Sequence, residues 1–311
     1  MKKIILILAM MISFLISQEL TVPIDYIEGL NIKESFTLRS GLKPGYSPVG
    51  TMVTKFGVNH SISDSTDPED IWEYGGLYNF TADTGTTYYF SSSSSADSQL
   101  TLFYLLTTDT LGNWVGEEIT DTLQGQTKTE LVIPSGRKAV RLWRIKNVND
   151  APSDYNGNIY VYEDCTTTDG VPDTASAVIG MVNKGNNQTL MSIFTIPTGY
   201  VGFLAKGEVG IEYTGVPGSG TNYATIQYRS RLYGKNFTVK KEITLQTTGS
   251  SNYVDERSFW DVIPAKTDIK IYAYIVSDEM GVWSAFDIII LKEEYFKDSF
   301  LSSIGQIKIV E

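Results

Sequence analysis

The strongest constraint on this chain is a period of two. In Asp268–Val276, Ile269, Ile271, Ala273 and Ile275 fall on one side, and Lys270, Tyr272 and Tyr274 fall on the other. Ile226, Tyr228 and Leu232 oppose Gln227, Arg229 and Arg231 in the same way. Only a strand separates odd from even positions so cleanly, so such text predicts half-buried sheets. Eight segments of this kind run through the second half: Val178–Val182, Leu190–Ile196, Val201–Tyr213, Tyr223–Tyr233, Thr238–Thr247, Asp255–Val262, Asp268–Val276 and Ser284–Leu291. Eight antiparallel strands suit a jelly-roll sandwich.

The first half has the same grammar in shorter pieces: Thr87–Ser91, Leu100–Thr107, Trp114–Thr120, Thr127–Ile133, Ala139–Asn147 and Asn158–Glu163. Turn residues separate them. Asp109–Asn113 reads as a hairpin loop, with further turns at Gly125 and Pro134-Ser135-Gly136. The run Ser91 to Ser95 reads as an exposed edge, because serine offers little apolar area to bury. The expected fold is all-β: two antiparallel β-sandwich domains, the second jelly-roll-like, behind an extended N-terminal arm.

The expected boundaries are a signal-like hydrophobic segment at 1–17, the arm at 18–54, sandwiches at 55–166 and 167–293, and a tail at 294–311. Lys2-Lys3 before the apolar run Ile4–Ser17 matches a secretory signal, with cleavage near Ser17-Gln18. The run is shorter than the roughly 20 apolar residues a bilayer crossing takes. A retained, buried or membrane-tethering segment is the alternative. In the tail, Phe296, Phe300 and Ile304 recur every four residues, the spacing of a small helix. Asp67-Pro68-Glu69-Asp70 reads as the start of a short helix, with Asp67 as cap and Pro68 in the first turn, ended by Gly75-Gly76.

Composition narrows the chemistry. With 36 acidic and 25 basic residues the net charge is −11, which repels a nucleic-acid backbone. The basic segments Arg137–Lys146 and Arg229–Lys241 read as solvated or subunit-contacting sheet faces. Within the first, Leu142 and Ile145 are expected inward, with Trp143 capping the sheet edge beside Arg141 and Arg144. The single cysteine, Cys165, allows no intrachain disulfide, and with one histidine, His60, a four-ligand zinc site is excluded. His60 is the one candidate general base and sits in turn-rich text. Gly215–Gly220 lacks the Lys-Ser/Thr and the helix of a phosphate loop and reads as a hairpin tip.

No catalytic, cofactor or metal residue is therefore assigned, and the chain is expected not to be an enzyme. Glu117-Glu118 and Asp255-Glu256 are the carboxylate pairs a glycosidase would need. Asp64, Asp67, Glu69 and Asp70 form an acidic cluster whose spacing departs from the helix-loop-helix calcium pattern. The 19 Tyr, 13 Phe and 5 Trp suit a glycan-binding face or a subunit interface.

One linked set of motifs goes further: Pro44-Gly45-Tyr46, Thr54–Asn59, Pro68–Trp72 and Gly75–Tyr78. Weaker matching text continues at Ser92–Ser98, Ala139–Tyr162, Gly185–Thr189, Ile196–Tyr200 and Phe286–Leu291. This text resembles virion structural proteins of tailed, mostly short-tailed, bacteriophages. The resemblance covers roughly 44–292 and implies a particle component, capsid decoration or head-fibre-like, with no catalytic residue to carry over. Two departures are the apolar N-terminus and the tail after Lys292. It also implies capsid or other virion partners and a homo-oligomer such as a trimer, with Phe56, Trp72 and Tyr78 as assembly contacts. Attachment would bury about 1,000 Å² or more. A secreted or surface glycan-binding sandwich, with a host surface glycan as partner, is the alternative. A carboxylate-dependent polysaccharide depolymerase is the third.

Overall fold

A computed structural model of the chain describes residues 50–62, 68–134, 136–148, 155–213, 222–247, 250–255, 259–275 and 280–294. The hydrophobic segment 1–17, the arm up to 49, the tail helix and Gly215–Gly220 lie outside the described residues. The strands begin with β1 (Gly50–Ile62) and β2 (Glu69–Asp70). There follow β3 (Tyr88–Ser92), β4 (Leu100–Thr108), β5 (Trp114–Thr122), β6 (Thr129–Glu130), β7 (Lys138–Asn147), β8 (Ile159–Glu163), β9 (Thr167–Thr168), β10 (Val171–Pro172) and β11 (Val178–Val182). The last set is β12 (Ile193–Thr195), β13 (Tyr200–Tyr213), β14 (Asn222–Arg231), β15 (Thr238–Thr247), β16 (Ser250–Asp255), β17 (Phe259–Ile263), β18 (Asp268–Ile275) and β19 (Met280–Lys292). The fold is all-β, built of antiparallel sheets in sandwich arrangement, as the alternation predicts.

The larger sandwich is a jelly roll. One sheet runs β1-β19-β13-β16, with β17 also on β13; the other runs β12-β18-β14-β15, with β2 also on β18. Collinear β2 and β12 form its second strand, and β16 and β17 form its sixth. In chain order the sheets then read first-eighth-third-sixth and second-seventh-fourth-fifth, the interleaving of two Greek keys. Its core is mainly aliphatic, including Val53, Leu204, Ile226, Ile271, Val282 and Ile288. Each such side chain contributes roughly 1.5–3 kcal/mol on burial.

The second strand of this jelly roll is interrupted. Asp70 pairs with Tyr272 and Glu69 with Ala273. Ile71 donates its N–H to the Ile271 carbonyl, and after Ser192 the same edge resumes with Ile193 opposite Lys270. Ser192 N–H donates to the Ile71 carbonyl at 3.0 Å, and Trp72 and Met191 bridge at the exit. Residues 72–191 thus leave and return at one point. Gly57 is required there: a Cβ on it would lie 2.4 Å from the Ser192 nitrogen and 2.5 Å from the Ile71 oxygen.

The inserted stretch closes its own sandwich from the sheets β5-β4-β7 and β11-β8-β3-β6. Its core is rich in rings: Trp72, Tyr78, Tyr88, Phe90, Phe103, Tyr155, Tyr160 and Tyr162. Strand pairing therefore differs from the expected division at 166/167. β1 pairs with β19 at the far end of the sequence, and Val178–Val182 pairs with β8. The Ser91–Ser95 expectation needs correction. Ser91 and Ser92 are buried because their hydroxyls have partners: Ser91 meets the Tyr162 hydroxyl at 2.9 Å, and Ser92 donates to Asp97.

The helix expected after Asp67 also gives way to strand β2. Asp67 itself lies outside the described residues. The acidic groups are engaged across the fold instead of capping a helix: Glu69 accepts from Asn59 and from the Gly76 N–H, and Asp70 accepts from Tyr78 N–H and Lys270. The Asp109–Asn113 hairpin forms as expected, with Asp109 Oδ1 accepting from the N–H groups of Leu111 and Asn113.

Candidate functional site

Two polar features mark where the inserted sandwich meets the jelly roll. The first is a lock. Arg141 on β7 is buried, and its Nε and NH2 donate to Asp268 on β18 at 2.7 and 3.0 Å. It also donates to Asp83 and to the Thr81 carbonyl, while Thr195 and Arg231 complete the shell of Asp268. Burial alone would lower the Arg141 pKa, but Asp268 and Asp83 hold it above the usual guanidinium range. This corrects the reading of Arg137–Lys146 as a solvated face. Leu142 and Ile145 do point inward, while Trp143 stacks on Phe194 of the jelly roll. Lys55 is buried as well and donates to the Trp143 carbonyl; burial and then Arg144 push its pKa well down.

The second feature is the outer face of the β12-β18-β14-β15 sheet. Cross-strand pairing sets its rows: Arg229 beside Lys270, Gln227 beside Tyr272 and Glu242, and Thr225 beside Tyr274 and Thr244. These are the outward positions of the period-two pattern, so the residues were legible in sequence. Their mutual contacts were not. Lys270 lies 2.7 and 2.8 Å from the two carboxylate oxygens of Asp70. Burial pushes the Asp70 carboxyl up against the opposing pull of Lys270. Arg229 stands 3.7 Å over the Tyr272 ring with its Nε on the Gln227 carbonyl oxygen at 2.8 Å, and Gln227 donates in turn to Glu242. Arg231 and Lys270 flank the Phe237 ring at 4.8 Å each. Cations and rings thus alternate across the face.

A titratable clasp sits at the neck of the insertion. Glu73 accepts from Asn186 Nδ2 at 2.5 Å and from Leu190 N–H at 3.2 Å. Burial outweighs these bonds and pushes its pKa up to about 7.

Of the expected assembly contacts, Trp72 and Tyr78 are buried in the core of the inserted sandwich, edge to face with ring centroids 5.0 Å apart. Phe56 is half-buried on β1 under the Arg144 guanidinium, 5.6 Å from its centroid. His60 is exposed on β1. Glu117 pairs with Arg137, and Glu256 lies outside the described residues. Asp64 and Asp67 do too; Glu69 and Asp70 are held by the partners given above. Among the described residues no three His, Cys, Asp or Glu side chains converge as metal ligands. A shallow depression of about 530 Å³ is lined by Thr198, Gly199, Tyr200, Lys292, Glu293 and Glu294.

No protein-family model and no curated protein matches the sequence. Among solved structures, the tandem CBM22-1–CBM22-2 domains of Paenibacillus barcinonensis Xyn10C align at 9% identity over 78% of this chain and 93% of theirs, with a TM-score of 0.20. The infectious bursal disease virus Gt strain structure aligns at 12% identity over 83% and 77%, with a TM-score of 0.18. The VP2 subviral particle of that virus aligns at 10% identity over 84% and 76%, with a TM-score of 0.16. Superpositions this loose carry no argument about what this chain does.

Proposed function

We propose that this chain is a non-enzymatic structural protein of a virus particle, a capsid decoration or head-fibre-like component of a tailed bacteriophage. The observation that carries the reading is the buried Arg141–Asp268 lock. It joins the sandwiches into one body, so that a jelly roll held on a particle would present the inserted sandwich at a fixed orientation. The motif resemblance supplies the particle context. Self-association or attachment would draw on outer sheet faces and on half-buried Phe56, since Trp72 and Tyr78 serve the chain's own core. Mass spectrometry of purified phage particles tests this: the chain should be present at capsid-like copy number, and its absence would remove the reading. A second reading, binding of a surface glycan, is favoured by the alternating cations and rings on the outer jelly-roll face.

A further inference from the structure

We propose that the side chains of Asp70 and Lys270 condense into an isopeptide bond, a covalent tie between β2 and β18 at the root of the inserted sandwich. The inference goes beyond the structural reading and is independent of particle membership.

Strand register brings the two groups together. Asp70 pairs with Tyr272, so Lys270, two residues away on β18, is its diagonal neighbour on the same face. Its Nζ lies 2.7 and 2.8 Å from the two carboxyl oxygens. An amine so placed is about 3 Å from the carbon between them, the separation of a near-attack arrangement. Water is kept out: the Asp70 side chain is fully buried, that of Lys270 is 8% exposed, and the ring centroids of Phe237 and Tyr272 lie 4.8 and 5.6 Å from Nζ. Lys55 is buried too, but it donates to the Trp143 backbone carbonyl and not to a carboxyl.

The setting favours the uncharged pair, which is the reactive one. Burial pushes the Asp70 carboxyl up against the opposing pulls of Lys270 and Arg229. One Lys270 proton moves to Oδ1, giving a free amine and a carboxylic acid. Nζ then attacks Cγ, and the oxygen that gains charge, Oδ2, already accepts from the Tyr78 N–H at 2.7 Å. The nitrogen gives a proton to the Oδ1 hydroxyl, which leaves as water. A C–N bond thus replaces the bond from Cγ to Oδ1, with no oxidant and no further reactant. The amide is uncharged, so the fold no longer carries a buried ion pair at this point. It also anchors β2, which has only two residues to bond along its edge, and closes a loop between positions 200 apart in the chain.

Peptide mapping by mass spectrometry, on the full chain folded and then denatured, tests the assignment. Proteolysis should give one branched peptide that joins the Asp70 and Lys270 segments and is lighter than the two together by one water. Lys270→Arg, which keeps the charge but lacks the amine, should release the two segments as separate linear peptides of full mass. The parent chain is the decisive sample, so the test holds even where the variant folds poorly. Separate, unmodified Asp70 and Lys270 peptides from the parent chain overturn the proposal. So does a loss of water located at any other pair of residues, or a branched peptide that persists in Lys270→Arg.

Discussion

The jelly roll and the sandwich inserted into it are stabilised by different chemistry. The first packs branched aliphatic side chains from long strands, with Phe194, Tyr228 and Phe286 among few rings. The second packs eight aromatic side chains from shorter strands, and several carry hydroxyls that must be satisfied once buried. Tyr88 meets Thr81 at 2.7 Å, Tyr162 meets Ser91 at 2.9 Å and Tyr155 meets Thr101 at 3.1 Å. An aliphatic core tolerates any neighbour of suitable volume. A tyrosine core needs named serines and threonines.

The largest effect should come from the lock, which couples the two. Arg141→Met strands part of the Asp268 charge in a buried setting, and losing one partner of such a pair costs about 3–5 kcal/mol. Chemical denaturation should then show the sandwiches unfolding in separate steps. A single unshifted transition would break the contrast between two modules joined by one lock.

The neck should respond to pH. Glu73 titrates near 4.5 when unfolded and at about 7 when folded, so folding takes up a proton between these values. Its contribution is complete below pH 4.5 and is lost as the pH rises through 7. Glu73→Gln should therefore stabilise the protein by up to about 3 kcal/mol at pH 8 and by little at pH 4. Melting curves at the two pH values check the sign.

On the jelly-roll side of the neck, Gly57→Ala drives a Cβ into the backbone of Ile71 and Ser192 and should cost about 2–3 kcal/mol. The smallest effect sharpens the contrast between the cores. Tyr162→Phe should cost about 1 kcal/mol, because the Ser91 hydroxyl loses a buried partner. Ile226→Val in the other core should cost a similar amount for a different reason, a lost methylene group. Pairing each with Ser91→Ala separates them: only the Tyr162 change should be non-additive.

The aliphatic sandwich was the more legible in sequence. Long alternation placed Thr238–Thr247 and Asp268–Ile275 almost residue for residue, because a strand buried on one face writes its period directly. Of the split second strand, the later piece fell within the expected strand Leu190–Ile196. Glu69–Ile71 is too short to show a period, and nothing in the text signals that the two pieces continue one edge. The text around Asp67-Pro68 carries helix-start residues, yet Glu69 and Asp70 are claimed by Asn59, Lys270 and backbone N–H groups. Arg141 was misplaced for the same reason as Ser91: a polar residue looks like surface until its partner, distant in sequence, is known. On the outer jelly-roll face, period two placed Arg229, Tyr272 and Tyr274 away from the aliphatic core. It gave no indication that Lys270 and Arg229 both act on the buried Asp70 carboxylate.

The central structural claim is that residues 72–191 form a sandwich carried within one strand of a jelly roll. Joining Ile71 directly to Ser192 tests it most directly, with circular dichroism and denaturation of the shortened chain as the readout. The account expects a soluble all-β protein that unfolds cooperatively, while separate pieces cut at 166/167 fail to fold. An unfolded shortened chain, alongside two independently folded pieces from the 166/167 cut, would contradict it.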